Sequence, residues 1–126
     1  IVPVKYREGL GDEFVVTWGA DGCLYLYPQE EWKQFVEKLL QLPSNQNTRK
    51  IQRQFLSMAM EVSLDKQGRI LVPAKLRASA NLEKDLVFIG MMNRVEVWDK
   101  ATLDAQNQEE DAKDLEAAMD ELGISL

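Results

Sequence analysis

The 126-residue sequence contains no histidine and only one cysteine, Cys23. The first absence excludes Ser-His and Cys-His catalytic pairs and histidine-containing metal sites, and the second excludes an intramolecular disulfide and a CxxC zinc site. There is no run of about 18 apolar residues that could span a membrane, and no basic-then-apolar export signal is visible. We therefore expect a soluble, cytoplasmic protein in a reducing compartment, with no cofactor, metal or small-molecule substrate.

Charge is unevenly distributed along the chain. The net charge is −6, but residues 104–126 contain eight acids and one base, whereas residues 1–103 are close to neutral at +1. Within that body, residues 49–77 contain seven bases and two acids. A basic middle is compatible with nucleic-acid binding despite the acidic total. Ordinary solvation of exposed faces accounts for the same pattern equally well.

The sequence contains an internal repeat. A Pro-x-Lys-x-Arg motif occurs twice at an offset of 70 residues, and the strand-like segments 19–27 and 90–98 follow at an offset of 71. This match predicts two copies of one module, at residues 1–43 and 59–103. A connecting helix is expected at 44–58 and an acidic helical tail at 104–126. The paired motif residues are Pro3 with Pro73, Lys5 with Lys75, and Arg7 with Arg77.

The two copies differ in what precedes the motif. The second copy has a strand and a turn there, MEVSLDKQGR, whereas the first copy has only the residues from Ile1. By this alignment about a dozen residues of the first module are absent, and we expect that a leading segment has been removed or lost. Such a loss predicts an unpaired sheet edge or an incomplete barrel.

Hydrophobic periodicity predicts an α+β, strand-rich fold. Strands are expected at 14–18, 23–27, 60–64, 86–89 and 94–98. Short helices are expected at 4–10 and 74–80, because proline at the first helical turn sacrifices no needed N–H. Three longer helices are also predicted: one from Pro28 with a stripe of Trp32, Phe35, Val36, Leu39 and Leu40; one capped by Ser44 or Asn45 with Ile51, Phe55, Leu56 and Met58 inward; and one with a stripe of Leu115, Met119 and Leu122, ended by Gly123.

The turn formed by Asp65, Lys66, Gln67, Gly68 and Arg69 is the segment most informative about function. It follows an alternating strand, and its glycine takes positive φ at low cost, so a hairpin is predicted. At an exposed tip, arginine can fork onto guanine O6 and N7, and lysine can satisfy a phosphate. Asp65 would hold Arg69 through a charge-assisted contact. A plain hairpin turn uses the same residues for geometry alone.

The segment Asp-x-x-Gly-Arg-Ile-Leu-Val-Pro, followed by a Lys-x-Arg helix and a strand ending Val-Glu-Val-Trp, resembles the MraZ family. The segments DGCLYLYPQEEW and TRKIQRQFL extend the resemblance over nearly the whole chain. It implies a transcriptional regulator that binds short repeated boxes of double-stranded promoter DNA upstream of the bacterial division and cell-wall gene cluster. It also implies two swapped-hairpin β-barrel modules of the AbrB/MazE class per subunit, and a closed homo-oligomeric ring at the nucleoid.

The resemblance places the DNA-contacting loop of the family on Asp65, Lys66, Gly68 and Arg69. Arg69 would be the base reader and Lys66 a phosphate or base contact. The corresponding loop of the first module would precede Ile1, which leaves one such loop per subunit. A ring that presents many loops would raise the effective affinity by roughly 10²–10⁴-fold.

Other cations have two interpretations each. Lys5, Arg7, Lys75 and Arg77 either support phosphates or are solvated on short helices. The basic residues of the connecting helix, Arg49, Lys50 and Arg53, face either DNA or the acidic tail of a neighbouring subunit.

The remaining candidates favour structural roles. Cys23 is expected to be a small buried residue, and Tyr27, Trp32, Phe35 and Trp98 are expected to pack in the core or a subunit interface. The acidic runs Glu30-Glu31 and Glu109-Glu110-Asp111 lie at predicted helix starts, where acids stabilise the helix dipole.

A second functional hypothesis comes from another class of protein. The chain would be a protein-interaction or antitoxin-like module whose acidic tail binds a basic partner or masks its own DNA face. The Leu115–Leu122 stripe motivates this alternative, because such a stripe has to be buried somewhere. An enzyme is not predicted, since the sequence has no histidine, phosphate loop or plausible nucleophile–base pair.

Overall fold

The apolar runs of the sequence form five strands, flanked by helices, in a computed structural model that describes residues 1–108 and 112–124. The fold is α+β. The strands are β1 (Glu13–Trp18), β2 (Leu24–Pro28), β3 (Met60–Ser63), β4 (Leu86–Gly90) and β5 (Val95–Asp99). The helices are α1 (Val4–Leu10), α2 (Gln29–Leu40), α3 (Gln46–Met58), α4 (Ala74–Ser79), α5 (Lys100–Gln108) and α6 (Ala112–Glu121), and a 3₁₀ turn at Ala20–Gly22 connects β1 to β2.

Two hairpins meet at the centre of one antiparallel sheet with the order β3-β1-β2-β5-β4. Where β2 meets β5, Tyr25 lies opposite Glu96. These two residues are equivalent under the 71-residue offset of the repeat. The central register is therefore that of an approximate twofold axis between the two hairpins. The module boundaries and the swapped-hairpin barrel remain predictions.

The edge strand β3 connects the two predicted modules. It lies in the sequence predicted for the second module, yet it pairs with β1 of the first, with Val62 opposite Phe14. The turn after it is closed by a hydrogen bond of 2.9 Å from the Asp65 N–H to the Arg69 carbonyl. The predicted hairpin turn is not followed by a second strand in this described segment, because the chain soon reaches Pro73, which has no N–H to donate, and begins α4.

Both faces of the central strands are covered, which explains their nearly continuous hydrophobic sequence. One face of β1 and β2 carries Phe14, Val16, Leu24 and Leu26, all fully buried against residues of α1 and α4. The opposite face carries an aromatic cluster. Of the two locations predicted for Tyr27, Trp32, Phe35 and Trp98, core or subunit interface, the described structure places them in or against the core. That cluster joins Tyr25, Tyr27 and Trp98 to Trp32 and Phe35 of α2 and Phe55 of α3.

The helices α2 and α3 confirm most of their predicted features. Asn45, not Ser44, caps α3, and its side-chain oxygen accepts a 2.9 Å hydrogen bond from the Thr48 N–H. The prediction that Ile51 and Leu56 face inward is wrong, and Leu40 at the end of the α2 stripe is exposed as well. Each helix is covered only where it lies on the sheet and on the other helix, so the outer part of each apolar stripe stays in solvent.

The end of the described chain forms an acidic helix. Gly123, with a φ of +82°, lies just beyond α6, and the Ile124 N–H donates to the Met119 carbonyl at 2.9 Å. This is the predicted glycine stop. The stripe beside it is largely uncovered, since Leu115 is 53% and Leu122 is 78% exposed. No helix among the described residues is long and apolar enough to cross a membrane.

Candidate nucleic-acid interface

The loop formed by residues 65–69 is organised around one carboxylate. Oδ1 of Asp65 accepts hydrogen bonds from the backbone N–H groups of Gln67 and Arg69, each at 2.9 Å. Oδ2 accepts a third hydrogen bond, from Nε of Arg69 at 3.0 Å. The predicted Asp65–Arg69 contact is confirmed. A single side chain therefore fixes both the backbone of loop 65–69 and the direction of its arginine.

The same contacts change the acidity of Asp65. The backbone N–H of Arg69 is the largest cause that lowers the pKa of the Asp65 carboxyl below its ordinary value, and the Arg69 side chain and the Gln67 N–H act in the same direction. A carboxylate that accepts several hydrogen bonds is favoured over the carboxylic acid. The loop is thus built for the ionised form at neutral pH.

Two separate features of residue 68 favour glycine there. Its φ is +76°, a region that residues with a side chain rarely adopt. A Cβ at this position would also overlap the guanidinium of Arg7. Gly68 is itself buried, and its carbonyl accepts a 2.8 Å hydrogen bond from the Val2 N–H. The underside of loop 65–69 is therefore in contact with the first residues of the chain.

The outer side of the loop presents positive charge. The Arg69 side chain is 58% exposed, and its Nη2 donates to Oε1 of Gln67 at 3.2 Å. Lys66 is exposed, and no partner among the described residues binds its ammonium group. Because Asp65 accepts from Nε of Arg69 and Gln67 accepts from Nη2, Nη1 and the second N–H of Nη2 are left without a partner among the described residues. An ordered guanidinium beside an unpaired ammonium suits a phosphate-bearing polymer.

The other predicted basic residues lie in different surroundings. Arg7 comes to loop 65–69, where it is half-buried and donates from Nε to the Val2 carbonyl at 2.8 Å. Lys5 lies over the ring of Tyr6, 5.1 Å from its centroid. Lys75 and Arg77 are exposed on α4, and no side-chain hydrogen bond or ion pair in the described part of the chain joins them to the loop. Arg49, Lys50 and Arg53 are likewise exposed, on α3.

Two contributors to the loop were not singled out from the sequence. Gln67 orients Arg69, and its position inside the pentapeptide was the available signal. Val2 connects Arg7 to Gly68 through its backbone. Its carbonyl accepts a hydrogen bond from Nε of Arg7, and its N–H donates one to the Gly68 carbonyl. A backbone contact of an apolar residue leaves no mark in the side-chain pattern, so the sequence carried no signal for Val2.

Cys23 has no feature of a nucleophile. It is 1% exposed, and its thiol donates to the Ala20 carbonyl at 3.3 Å. Burial, with the nearby charges of Glu96 and Asp21, raises the pKa of Cys23 to about 12. The thiol is therefore protonated at neutral pH, and only the thiolate is nucleophilic. The expectation of a small buried residue is confirmed.

The acidic residues do not converge on a metal site in the described part of the chain. No group of three or more metal-ligating side chains occurs there. Glu30 and Glu31 lie in the first turn of α2, as predicted. The second acidic run, Glu109, Glu110 and Asp111, lies outside the described residues.

Comparison with known proteins assigns the family. The sequence model of the family described as "MraZ protein, putative antitoxin-like" matches residues 1–54 and again residues 55–122. The chain belongs to the MraZ family. The resemblance found in the sequence is thereby confirmed, and the two MraZ matches meet inside α3.

MraZ relatives of this chain share about half of its residues. A protein of Lachnoclostridium phytofermentans is 46% identical over 126 residues, which cover 100% of this chain and 89% of the relative. One of Clostridium beijerinckii is 48% identical, covering 98% of this chain and 89% of the relative. One of Natranaerobius thermophilus is 51% identical over 110 residues, covering 86% and 77%. Each of the three is named transcriptional regulator MraZ.

Proposed function

We propose that this chain is a sequence-specific DNA-binding transcriptional regulator that reads promoter DNA with loop 65–69. The names of its relatives support a regulator. The observation that carries the proposal is the geometry of Arg69, which is exposed to solvent yet held by Asp65 at 3.0 Å. An exposed arginine is usually mobile, and one that is fixed in advance loses less side-chain entropy when it binds.

Arg69 would read a base edge and Lys66 would contact the backbone. The terminal nitrogens of the Arg69 guanidinium match O6 and N7 of guanine in the major groove, and a good bidentate contact contributes about 1–3 kcal/mol of discrimination. The ammonium of Lys66 would contact a phosphate, which contributes affinity without sequence information. Asp65 and Gly68 would shape the loop rather than touch DNA.

A single loop of this kind binds weakly, so we propose that several act together. Identical subunits would form a closed ring of swapped-hairpin barrels and present their loops to the repeated boxes upstream of the division and cell-wall gene cluster. Linkage of the loops would raise the effective affinity by roughly 10²–10⁴-fold. The edge strand β3 is suited to a subunit contact, because one side of it has no neighbouring strand in the described part of the chain. The ring would act in the cytoplasm, at the nucleoid.

Replacement of Arg69 tests the proposal, with Lys38→Ala, which removes an exposed cation of α2, as the control. Arg69→Ala should abolish sequence-specific binding of promoter DNA at physiological salt in a gel-shift assay. The mass of the particle in solution should stay unchanged in both variants. Normal binding by Arg69→Ala would remove Arg69 from the interface.

The exposed stripe of α6 favours one second candidate, an interaction module in which the acidic tail covers a basic surface. Leu115 and Leu122 are uncovered in this chain and are accompanied by Glu116, Asp120 and Glu121. A partner with apolar and basic side chains, or the basic surface of the protein itself, would complement this helix.

Removal of residues 109–126 separates the two candidates, because it deletes α6 and leaves α5 intact. If the tail masks the DNA face, the shortened chain should bind DNA more tightly, by roughly tenfold at low salt. An unchanged affinity would argue against masking.

A further inference from the structure

The first residues of the chain contact loop 65–69 at Gly68. The Val2 N–H donates to the Gly68 carbonyl, and the Val2 carbonyl accepts from Nε of Arg7, each at 2.8 Å. The guanidinium of Arg7 then occupies the space where a side chain on residue 68 would lie. Two segments far apart in sequence are joined here by one hydrogen bond and one packed cation. The second hydrogen bond holds that cation within its own segment.

The environment of Arg7 differs from that of a phosphate contact. Lys66 and Arg69 are exposed, whereas Arg7 is half-buried. Its Nε is already bonded to the carbonyl of Val2, a residue that is 1% exposed. Without Arg7 this carbonyl would lose its donor, and a buried unpaired carbonyl is unfavourable.

The helix that carries Arg7 is itself anchored. The hydroxyl of Tyr6 donates to the Phe88 carbonyl at 3.3 Å and accepts from the Gly90 N–H at 3.2 Å. Leu10, at the other end of α1, is buried in the core. The Arg7 side chain therefore extends from a helix whose position is fixed, so its guanidinium is held against Gly68.

We propose that Arg7 is a positioning residue for loop 65–69, one that holds the loop in its DNA-reading shape without contacting DNA. This inference rests on the proposed function only for its effect on DNA. Gly68 has to keep a positive φ for the N–H groups of Gln67 and Arg69 to reach Asp65 together. Glycine is the most flexible residue and does not hold such a conformation by itself. The guanidinium of Arg7 packs against Gly68 and restricts its conformation.

The repeat supplies a matched control. Arg77 occupies the position of Arg7 in the second Pro-x-Lys-x-Arg motif and is exposed. The substitutions Arg7→Ala and Arg77→Ala remove the same side chain from equivalent positions of two short helices. Arg7→Lys keeps the charge but loses Nε and the planar guanidinium.

The first experiment needs no DNA. Amide hydrogen exchange of Gln67, Gly68 and Arg69 should become at least about tenfold faster in Arg7→Ala and in Arg7→Lys, because these amides are protected by the loop hydrogen bonds. Arg77→Ala should leave them unchanged. The Tyr25 amide in the central strand reports whether the variants remain folded. Unchanged exchange in the loop of folded Arg7→Ala and Arg7→Lys would overturn the proposal.

The second experiment measures promoter binding in a double-mutant cycle of Arg7→Ala and Arg69→Ala. A positioning role predicts that Arg7→Ala weakens specific binding about tenfold alone, and changes the residual non-specific binding of Arg69→Ala by less than twofold. Arg7→Lys should behave like Arg7→Ala. Additive losses, or full binding by Arg7→Lys, would make Arg7 a phosphate contact instead. If the unmodified protein binds no promoter DNA, the proposed function fails and the exchange experiment still decides the role of Arg7.

Discussion

The helices α1 and α4 begin with the same Pro-x-Lys-x-Arg motif but differ in what surrounds the arginine. In α1, Arg7 is half-buried and bonded to the Val2 carbonyl, with its guanidinium against Gly68. In α4, Arg77 is exposed and has no side-chain bonding partner among the described residues. An identical local pattern therefore gives a structural arginine in one place and a solvated one in the other.

The difference shows what a short motif determines. In both copies the proline starts a helix at the following residue, because this depends only on backbone geometry. The role of the arginine depends on whether another segment reaches it. Loop 65–69 lies against α1 in the described structure, so Arg7 acquires a partner.

Gly68→Ala should have the largest effect on the contact between loop 65–69 and α1. An alanine with positive φ costs about 1–2 kcal/mol. Its Cβ would also displace the guanidinium of Arg7, and the loss of the Arg7 hydrogen bond to the buried Val2 carbonyl adds about 1–3 kcal/mol. We expect a loss of about 3 kcal/mol in the free energy of unfolding measured with urea.

Gly22→Ala is the control for that variant, because Gly22 has a φ of +95° with open space where a side chain would lie. It should cost only the backbone strain, about 1 kcal/mol. Equal losses in the two variants would mean that displacement of the Arg7 guanidinium costs no stability.

The two arginines themselves should differ in their contribution to stability. Arg7→Ala removes a charged donor from a buried carbonyl, which should cost about 2 kcal/mol in urea unfolding. Arg77→Ala changes an exposed side chain and should stay within about 0.5 kcal/mol of the unmodified protein. Losses of the same size would mean that Arg7 contributes no more to stability than Arg77 does.

Local features of this molecule could be predicted from its sequence. The Asp65–Arg69 contact, the glycine turn, the motif helices and the strand segments each depend on residues within a few positions of one another. The strands β2 and β5 each begin one residue later than predicted, at Leu24 and Val95. Such shifts are small because the pairing of a strand determines its ends, whereas its hydrophobic pattern determines that it exists.

Features that depend on distant segments could not be predicted in this way. The periodicity of α3 marks Ile51 and Leu56 as apolar but does not say how far the sheet extends over the helix, and both are exposed. The contact of Arg7 with Gly68 joins segments about 60 residues apart, and the hydrogen bonds beside it use the backbone of Val2. Side-chain patterns carry no information on such a bond.

Lys66 of loop 65–69 and Lys75 of α4 should differ in what they contribute to the salt dependence of DNA binding. If Lys66 contacts a phosphate, Lys66→Ala should reduce the slope of log affinity against log salt by about 0.9 for each loop engaged. Lys75→Ala, on the exposed face of α4, should leave the slope unchanged. Titrations of promoter DNA between low and physiological salt measure both slopes. Equal reductions would extend the interface to α4.

Low pH should gradually weaken the order of loop 65–69 while the central strands stay ordered. The folded pKa of Asp65 is lowered, chiefly by the Arg69 N–H, so its carboxylate stabilises the loop at a pH above the ordinary aspartate value of about 3.9. That contribution is lost as the pH falls below this value and through the lowered pKa. We expect the amides of Gln67 and Arg69 to lose protection across this range, after correction for intrinsic exchange rates, while the Tyr25 amide stays protected. Asp65→Asn should show the weaker protection already at pH 7, and protection that persists at low pH would mean that Arg7, rather than Asp65, dominates the order of the loop.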